Sequence, residues 1–309
     1  MIPRIDIGIA CSSHQIPPWW ATMWANLVKE MSRGTFELGQ LFAVQSACPD
    51  FNKNQSVGGV FCDPTFGKRN NLTDANRDKI TGYFLEGGEN GSKADYIFWN
   101  DDDTIFPDQA ITRLLRLEKP IAAGLYFNTN PPYNPIAYRK LDNGGYVPLI
   151  DYSPGAVLEV DSVGMGCTLI HRSVYEKIMD AYDVFMRPNA SLIPIKKDEI
   201  HPTAQGPTMD QIVNGKRSAF VDGYYVMKLE KPKIDGQRQL FPFYALEYGR
   251  TEDMYFTELC ESVGIRPWVD TGILCEHWKH QARTYEDFRK EYVRREIEGS
   301  AEGREVQKP

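Results

Sequence analysis

Two kinds of hydrophobic patterning alternate through the first 130 residues. Dense apolar runs stand at residues 4–13 (RIDIGIACSS), 36–46 (FELGQLFAVQS), 94–100 (ADYIFWN) and 120–128 (PIAAGLYFN). Between them, apolar residues recur at three and four. Trp20, Met23, Trp24, Leu27, Val28 and Met31 mark one helix, stopped by Gly34. A second helix runs from about Asn71 or Thr73 to near Gly87, and a third opens at Pro107 with Ile111, Leu114 and Leu115 on one face. Strands that are apolar at nearly every position are buried on both faces. Alternation with helices therefore predicts an α/β fold, a mainly parallel sheet flanked by helices.

Beyond residue 130 the pattern changes. Residues 135–150 read as a hairpin turning at Asn143-Gly144-Gly145. Residues 158–182 read as a strand, a glycine-marked bend, a second strand and a helix. Residues 250–264 read as a helix with Met254, Phe256, Leu259 and Cys260 inward, followed by a last strand through residues 265–280. Residues 186–240 are rich in Pro, Lys and Gly, show no clear period, and read as an insertion or mobile loop. The tail from Thr284 reads as a charged helix that gives way to disorder past Gly299.

Composition narrows the class. With 42% hydrophobic and 25% charged residues, 309 residues can build a sizeable soluble core. The net charge of -7 excludes coating of nucleic acid by bulk electrostatics, although a local basic groove stays open. Six scattered cysteines without a CxxC pair point to reduced thiols and a cytoplasmic protein. The N-terminal apolar run is too short for a signal peptide, and no segment reaches the roughly 18 apolar residues of a membrane span.

The third apolar run ends in Asp101, Asp102 and Asp103. Adjacent like charges repel, so the cluster is either a solvated turn or the seat of a cation. Asp101 and Asp103 stand one residue apart at the carboxyl end of a strand, where open α/β sheets place ligands. Clustered carboxylates suit Mg²⁺ or Mn²⁺. A solvated acidic turn fits the triplet alone equally well.

Four pieces in order, YIFWNDDD, the upstream KRNN (residues 68–71), the downstream VGMGCTLIHRSVYEKI and then TEDMYFTELCESVGIRPWVDTGILCEHWKH, resemble glycosyltransferases of the GT-A fold, family-2-like and DxD-containing. The resemblance spans residues 4–175 and 241–280. It implies a GT-A-type sheet with a Rossmann-like nucleotide half over residues 1–130. A smaller mixed acceptor-side half would occupy residues 131–283 with the insertion at 186–240, and a charged helix and tail residues 284–309.

The resemblance also implies a nucleotide diphosphate sugar donor, UDP-linked by preference, and an acceptor hydroxyl on a glycan, a protein or a modified DNA base. Mn²⁺ or Mg²⁺ would sit on Asp101, Asp103 and His277, with His280 a weaker ligand. Ala10, Cys11, Ser12, Arg69 with Lys68, Asp101, Asp102, Gly164, Met165 and Gly166 would line the nucleotide sugar. Asp253 would act as base, with Glu252 orienting the acceptor and inversion favoured. The same residues admit structural roles: a Thr251-capped helix start for Glu252 and Asp253, a tight bend for the glycines, a surface position for His277. Trp19, Trp20 and Trp24 read as core or interface. The basic, aromatic segment 214–233 fits a solvent-exposed hairpin better than a DNA-facing surface. A sugar-phosphate nucleotidyltransferase and a non-catalytic sugar-binding domain are the rival readings. The first lacks its glycine-rich basic loop here, and intact acids at 101, 103, 252 and 253 oppose the second.

Overall fold

The computed structural model describes residues 2–11, 19–45, 71–87, 93–186, 192–197, 218–221, 224–228, 233–234, 237–238, 241–245, 251–278, 282–283, 285 and 288–289. Its first half contains β1 (Arg4–Cys11), α1 (Trp20–Ser32), β2 (Glu37–Gln45), α2 (Asn71–Glu86), β3 (Tyr96–Asp101), β4 (Thr104–Ile105), α3 (Ala110–Arg116) and β5 (Ile121–Leu125). The chain continues through β6 (Ala137–Lys140), β7 (Tyr146–Pro148), β8 (Val157–Glu159), β9 (Ser162–Val163), β10 (Thr168–His171) and α4 (Arg172–Ala181). Then come β11 (Tyr182–Met186), β12 (Leu192–Lys196), β13 (Ser218–Val221), β14 (Tyr224–Lys228), β15 (Lys233–Ile234) and β16 (Gln237–Arg238). The last elements are α5 (Glu252–Ser262), β17 (Trp268–Leu274), β18 (Glu276–Trp278) and β19 (Ala282–Arg283).

The fold is α/β, built on a seven-stranded sheet of order β2-β1-β3-β10-β5-β17-β8. β2, β1, β3, β5 and β17 point one way; β10 and β8 oppose them. β10 enters between β3 and β5, antiparallel to both, so the mainly parallel sheet is mixed at its centre. Residues past 130 thus supply three strands to the same sheet, and the expected halves share one core.

Both sheet faces are covered, which explains the unbroken apolar run of β3. Phe98 packs with Ile5, Ile7 and Ile9 of β1 against α1 and α3. Ile97 and Trp99 face the other way, against α2, α4 and α5. A third cluster joins Leu125 and Phe127 to Ala137 of the hairpin and to Phe288. Among the described residues, no helix is long and apolar enough to cross a membrane.

Several local expectations change. Val28 is 61% exposed and Met31 also reaches solvent; the buried face of α1 is Met23, Leu27 and Glu30. The third helix starts at Ala110, not Pro107, because Gln109 takes a left-handed φ of 69°. The Glu30 carboxylate from α1 then receives the Ile111 and Thr112 N–H groups, a cap supplied across the interface. In α5, Tyr255 and Thr257 are buried with Phe256, Leu259 and Cys260, while Met254 is half-buried. The stretch read as aperiodic contains β12 to β16, with β12-β11-β14-β13 forming a four-stranded sheet. The hairpin at Gly144 forms as expected, that residue at φ 81°. Of the expected C-terminal helix, residues 285, 288 and 289 are described and helical; the remainder lies outside the described residues.

Arg172, at the start of α4, fastens the far end of α2. Its guanidinium donates to the Phe84, Leu85 and Ala94 carbonyls and lies over the Phe84 ring at 4.2 Å. Phe84 and Leu85 lie in the last turn of α2, where carbonyls run out of intrahelical donors, so the arginine serves as a C-cap from another element, beside the Gly87 N–H that also reaches the Phe84 carbonyl. Arg172→Met should remove all three bonds and lower the stability measured by urea unfolding by about 3 kcal/mol. Arg172→Lys should recover less than half of that, since an ammonium lacks the planar fork.

Candidate active site

The acids lie where β1 and β3 end side by side: Ala10 is the register partner of Asp101. Asn100, buried just before them, shapes the turn that follows. Its side-chain amide donates to the carbonyls of Asp101, Thr104 and Gly166, tying the acidic turn to the glycine bend. Ser12, Lys68, Arg69 and His280 lie outside the described residues, as does the side chain of Cys11.

Asp101 points to Arg77 of α2, whose Nη2 donates to Oδ1 at 2.6 Å. The same nitrogen lies 3.9 Å from Oδ1 of Asp253, at the start of α5. The Arg77 side chain is 2% exposed, those of Asp101 and Asp253 21% and 18%. The guanidinium also lies 5.4 Å from the Trp99 ring centroid and 5.9 Å from that of Tyr244. Its Nε and Nη1, and Oδ1 of Asp253, have no hydrogen-bond partner among the described residues. Burial works against the charge of Arg77. The carboxylates of Asp101, Asp253 and Glu252 outweigh it and hold the guanidinium more firmly protonated than usual.

Burial pushes Asp253 well above the ordinary carboxylate range. Glu252 and Asp101 add to the shift, while Arg77 and a hydrogen bond from the Met165 backbone N–H oppose it. Asp101 is raised too, first by burial, with Arg77 opposing and Asp103 and Glu252 reinforcing. A carboxylate kept basic at the mouth of a sheet suits proton abstraction. Thr251 caps α5 by accepting from the Met254 N–H, so the structural role expected for this helix start is realised as well.

Asp103 pairs with the other expected histidine. Its Oδ2 lies 3.3 Å from Nε2 of His277, on β18. Nδ1 of His277 lies 2.7 Å from the Phe127 carbonyl, which can only accept, so Nδ1 carries the proton. That bond turns Nε2 towards Asp103, where a protonated ring donates to the carboxylate and a neutral ring could share a cation with it. Two donor atoms each about 2.1 Å from one ion, at right angles, stand roughly 3 Å apart, so the pair fits a shared Mn²⁺ or Mg²⁺. Among the described residues, no group of three or more His, Cys, Asp or Glu could hold a metal. Asp101 is engaged by Arg77, not gathered with Asp103 and His277 as expected. Burial lowers the His277 pKa, but Asp103 and the Phe127 carbonyl outweigh it and leave a net rise.

The glycine bend has another reason than close approach to a sugar. A Cβ on Gly164 would stand 2.0 Å from Oη of Tyr126, and one on Gly166 would meet Thr104 and the same tyrosine ring. The glycines make room for Tyr126, whose hydroxyl accepts the Gly166 N–H at 3.0 Å. Met165 is buried, and its backbone N–H, not its side chain, reaches the site. Asp102 is buried beneath the turn, and its carbonyl accepts from the Trp19 and Trp20 indoles.

Arg77, Asn100 and Tyr126 carry no sequence motif of their own. The arginine had one legible signal, its place one turn before Ile80, Thr81 and Phe84 on the buried stripe of α2. A lone cation on an apolar stripe needs an acidic partner.

No protein-family model and no curated protein matches the chain. Among solved structures, the crystal structure of A197 from STIV is similar at 13% identity and a TM-score of 0.44, over 92% of this chain and 91% of that one. At that level the similarity carries no conclusion about this chain.

The raised Asp253 has a consequence for stability. An aspartate with a folded-state pKa above its unfolded value binds more protons folded than unfolded. The fold therefore loses stability as pH rises from the ordinary value of 3.8 through the folded pKa. Asp253→Asn, with Arg77 still paired to Asp101, should raise the melting temperature at pH 7 by about 2 °C or more. The gain should shrink as pH falls towards 3.8, below which Asp253 is protonated both folded and unfolded. A melting series from pH 4 to 8 measures it.

Proposed function

We propose that the protein is a glycosyltransferase of GT-A type, moving a sugar from a nucleotide diphosphate donor, UDP-linked by preference, to an acceptor hydroxyl. One observation carries the reading. Two chemically distinct acid sites converge where β3 ends: Asp103 beside His277, whose Nδ1 is tied to the Phe127 carbonyl, and Asp253, half-buried with its pKa pushed well up. Transfer to a hydroxyl needs both, a seat for the charge that leaves and a base for the proton released.

Asp103 and His277 would hold Mn²⁺ or Mg²⁺, with the remaining positions left to water and donor phosphates. The bound ion would offset the negative charge of the departing diphosphate. As the bond from the anomeric carbon to the phosphate oxygen breaks, its electrons leave with the diphosphate. The acceptor oxygen bonds to that carbon, and its proton passes to Asp253. Arg77 opposes, without overcoming, the push that burial gives Asp101 and Asp253 towards the neutral form. A single base acting on the acceptor favours inversion. Arg77 Nε and Nη1 and Asp253 Oδ1 are buried polar atoms that a bound polar ligand would satisfy.

The acceptor side is bordered by the β6–β7 hairpin. Tyr146 bonds Glu258 of α5, Lys140 pairs with Glu261, and burial, then the charge of Asp253, raises the pKa of Tyr138 on β6. A glycan, a protein or a modified DNA base would be taken here. The described part of segment 214–233 includes the β13–β14 hairpin.

A thermal-shift series with UDP- and GDP-sugars tests the reading. The expected result is a shift of several degrees with a nucleotide sugar and Mn²⁺ together, absent without the metal and absent in Asp103→Ala. A shift with nucleoside triphosphates and none with nucleotide sugars would identify a nucleotidyltransferase instead.

A further inference from the structure

Trp19 is the N-cap residue of α1, an unusual choice. An N-cap is useful when its side chain accepts a backbone N–H, and an indole has only a donor. Trp19 accordingly makes no side-chain cap bond. Its Nε1 donates to the Asp102 carbonyl at 2.9 Å, and Nε1 of Trp20 donates to the same oxygen at 3.3 Å. The next carbonyl, that of Asp103, accepts the backbone N–H of Trp278 at 2.6 Å. The Trp19 and Trp278 rings stack, with centroids 5.3 Å apart and planes at 23°.

Three donors from two remote segments therefore grip two successive carbonyls of the acidic turn, and the ring stack joins those segments to each other. The turn needs such a grip. It carries three adjacent carboxylates, and mutual repulsion favours any backbone that spreads them. Its capacity to hold a cation depends on Asp103 staying 3.3 Å from His277, the residue just before Trp278. A local rule of helix capping is broken where the gain is long-range, as is common at functional sites.

We propose that Trp19 and Trp20 are positioning residues for the cation-holding pair Asp103 and His277. They set the backbone of the acidic turn so that the Asp103 carboxylate meets Nε2. The proposal rests on the metal reading given above, and it adds residues that touch neither metal nor donor. Trp19→Phe and Trp20→Phe keep an aromatic ring at each position while removing the donor.

The test is Mn²⁺ binding to the full chain, followed by the electron paramagnetic resonance signal of free Mn²⁺, with melting recorded in EDTA as a check on folding. The double variant should melt cooperatively and bind Mn²⁺ about 10- to 100-fold more weakly than the wild type, as loss of outer-shell support does elsewhere. A merely structural role would lower the melting temperature and leave Mn²⁺ affinity alone, which overturns the proposal. Should the double variant not fold, each single variant is read the same way, with Trp19→Phe, which loses the shorter bond, the weaker binder. If the wild type binds Mn²⁺ and folded variants bind it equally, the clamp alone is wrong. If the wild type takes up no Mn²⁺, the cation reading falls and the clamp with it.

Discussion

A guanidinium closed off from water among carboxylates is the constraint around which the site is organised. Arg77 is nearly fully buried, bonded to Asp101 and within reach of Asp253, with aromatic faces on Trp99 and Tyr244. Removing such a charge from water costs several kcal/mol, of order, before any partner is counted. It is tolerable only because the acids are held there by other means. Asp101 is anchored in the sheet, Asp253 by the start of α5 and the Met165 N–H, and Tyr244 by Asp78, which accepts the Phe243 and Tyr244 N–H groups from α2 itself. A buried ion pair of this kind is better understood as a device for placement than as a source of stability.

The sheet order makes the placement possible. With β10 between β3 and β5, the glycine bend before β10 is delivered directly beside the acids. Tyr126, just past β5, fills the space the glycines leave and lies edge-on to His277 at 5.3 Å. β18 then pairs with β4 immediately after the acidic turn, so His277 and Thr104 are register partners. Backbone pairing sets the distance between Asp103 and His277 as much as the side chains do. Carboxylates separated this way divide into two environments. Asp103 is beside an imidazole, while Asp101 and Asp253 share one guanidinium. Such a division lets neighbouring acids take different tasks.

Much of this was legible in the sequence and much was not. Periodicity located β1, β3, β5, α1, α2 and α5 because both faces of the sheet are covered and the helices are amphipathic, which are local consequences of burial. The acid cluster at the end of β3 was readable as a candidate, since charge after an apolar run is a local anomaly; Asp253 at a capped helix start and His277 became candidates through the family resemblance. The glycines were readable as special but their reason was not, because Tyr126 is about 40 residues away in sequence. The strands within residues 186–240 escaped notice because Pro and Gly masked the period of two.

What the chain's order of residues determined alone was a class of fold and a short list of reactive groups, each tied to a helix or strand by its period. Only tertiary structure decided which of them meet. Arg77, which no motif marks, faces the acids. Asn100 and the indoles of Trp19 and Trp20 hold the turn, and Asp101 is paired with a guanidinium in place of a histidine. The reason is physical. Period and composition record whether a residue is buried, whereas partnership across 24 to 174 residues depends on strand order and register, which pairings between distant segments settle together.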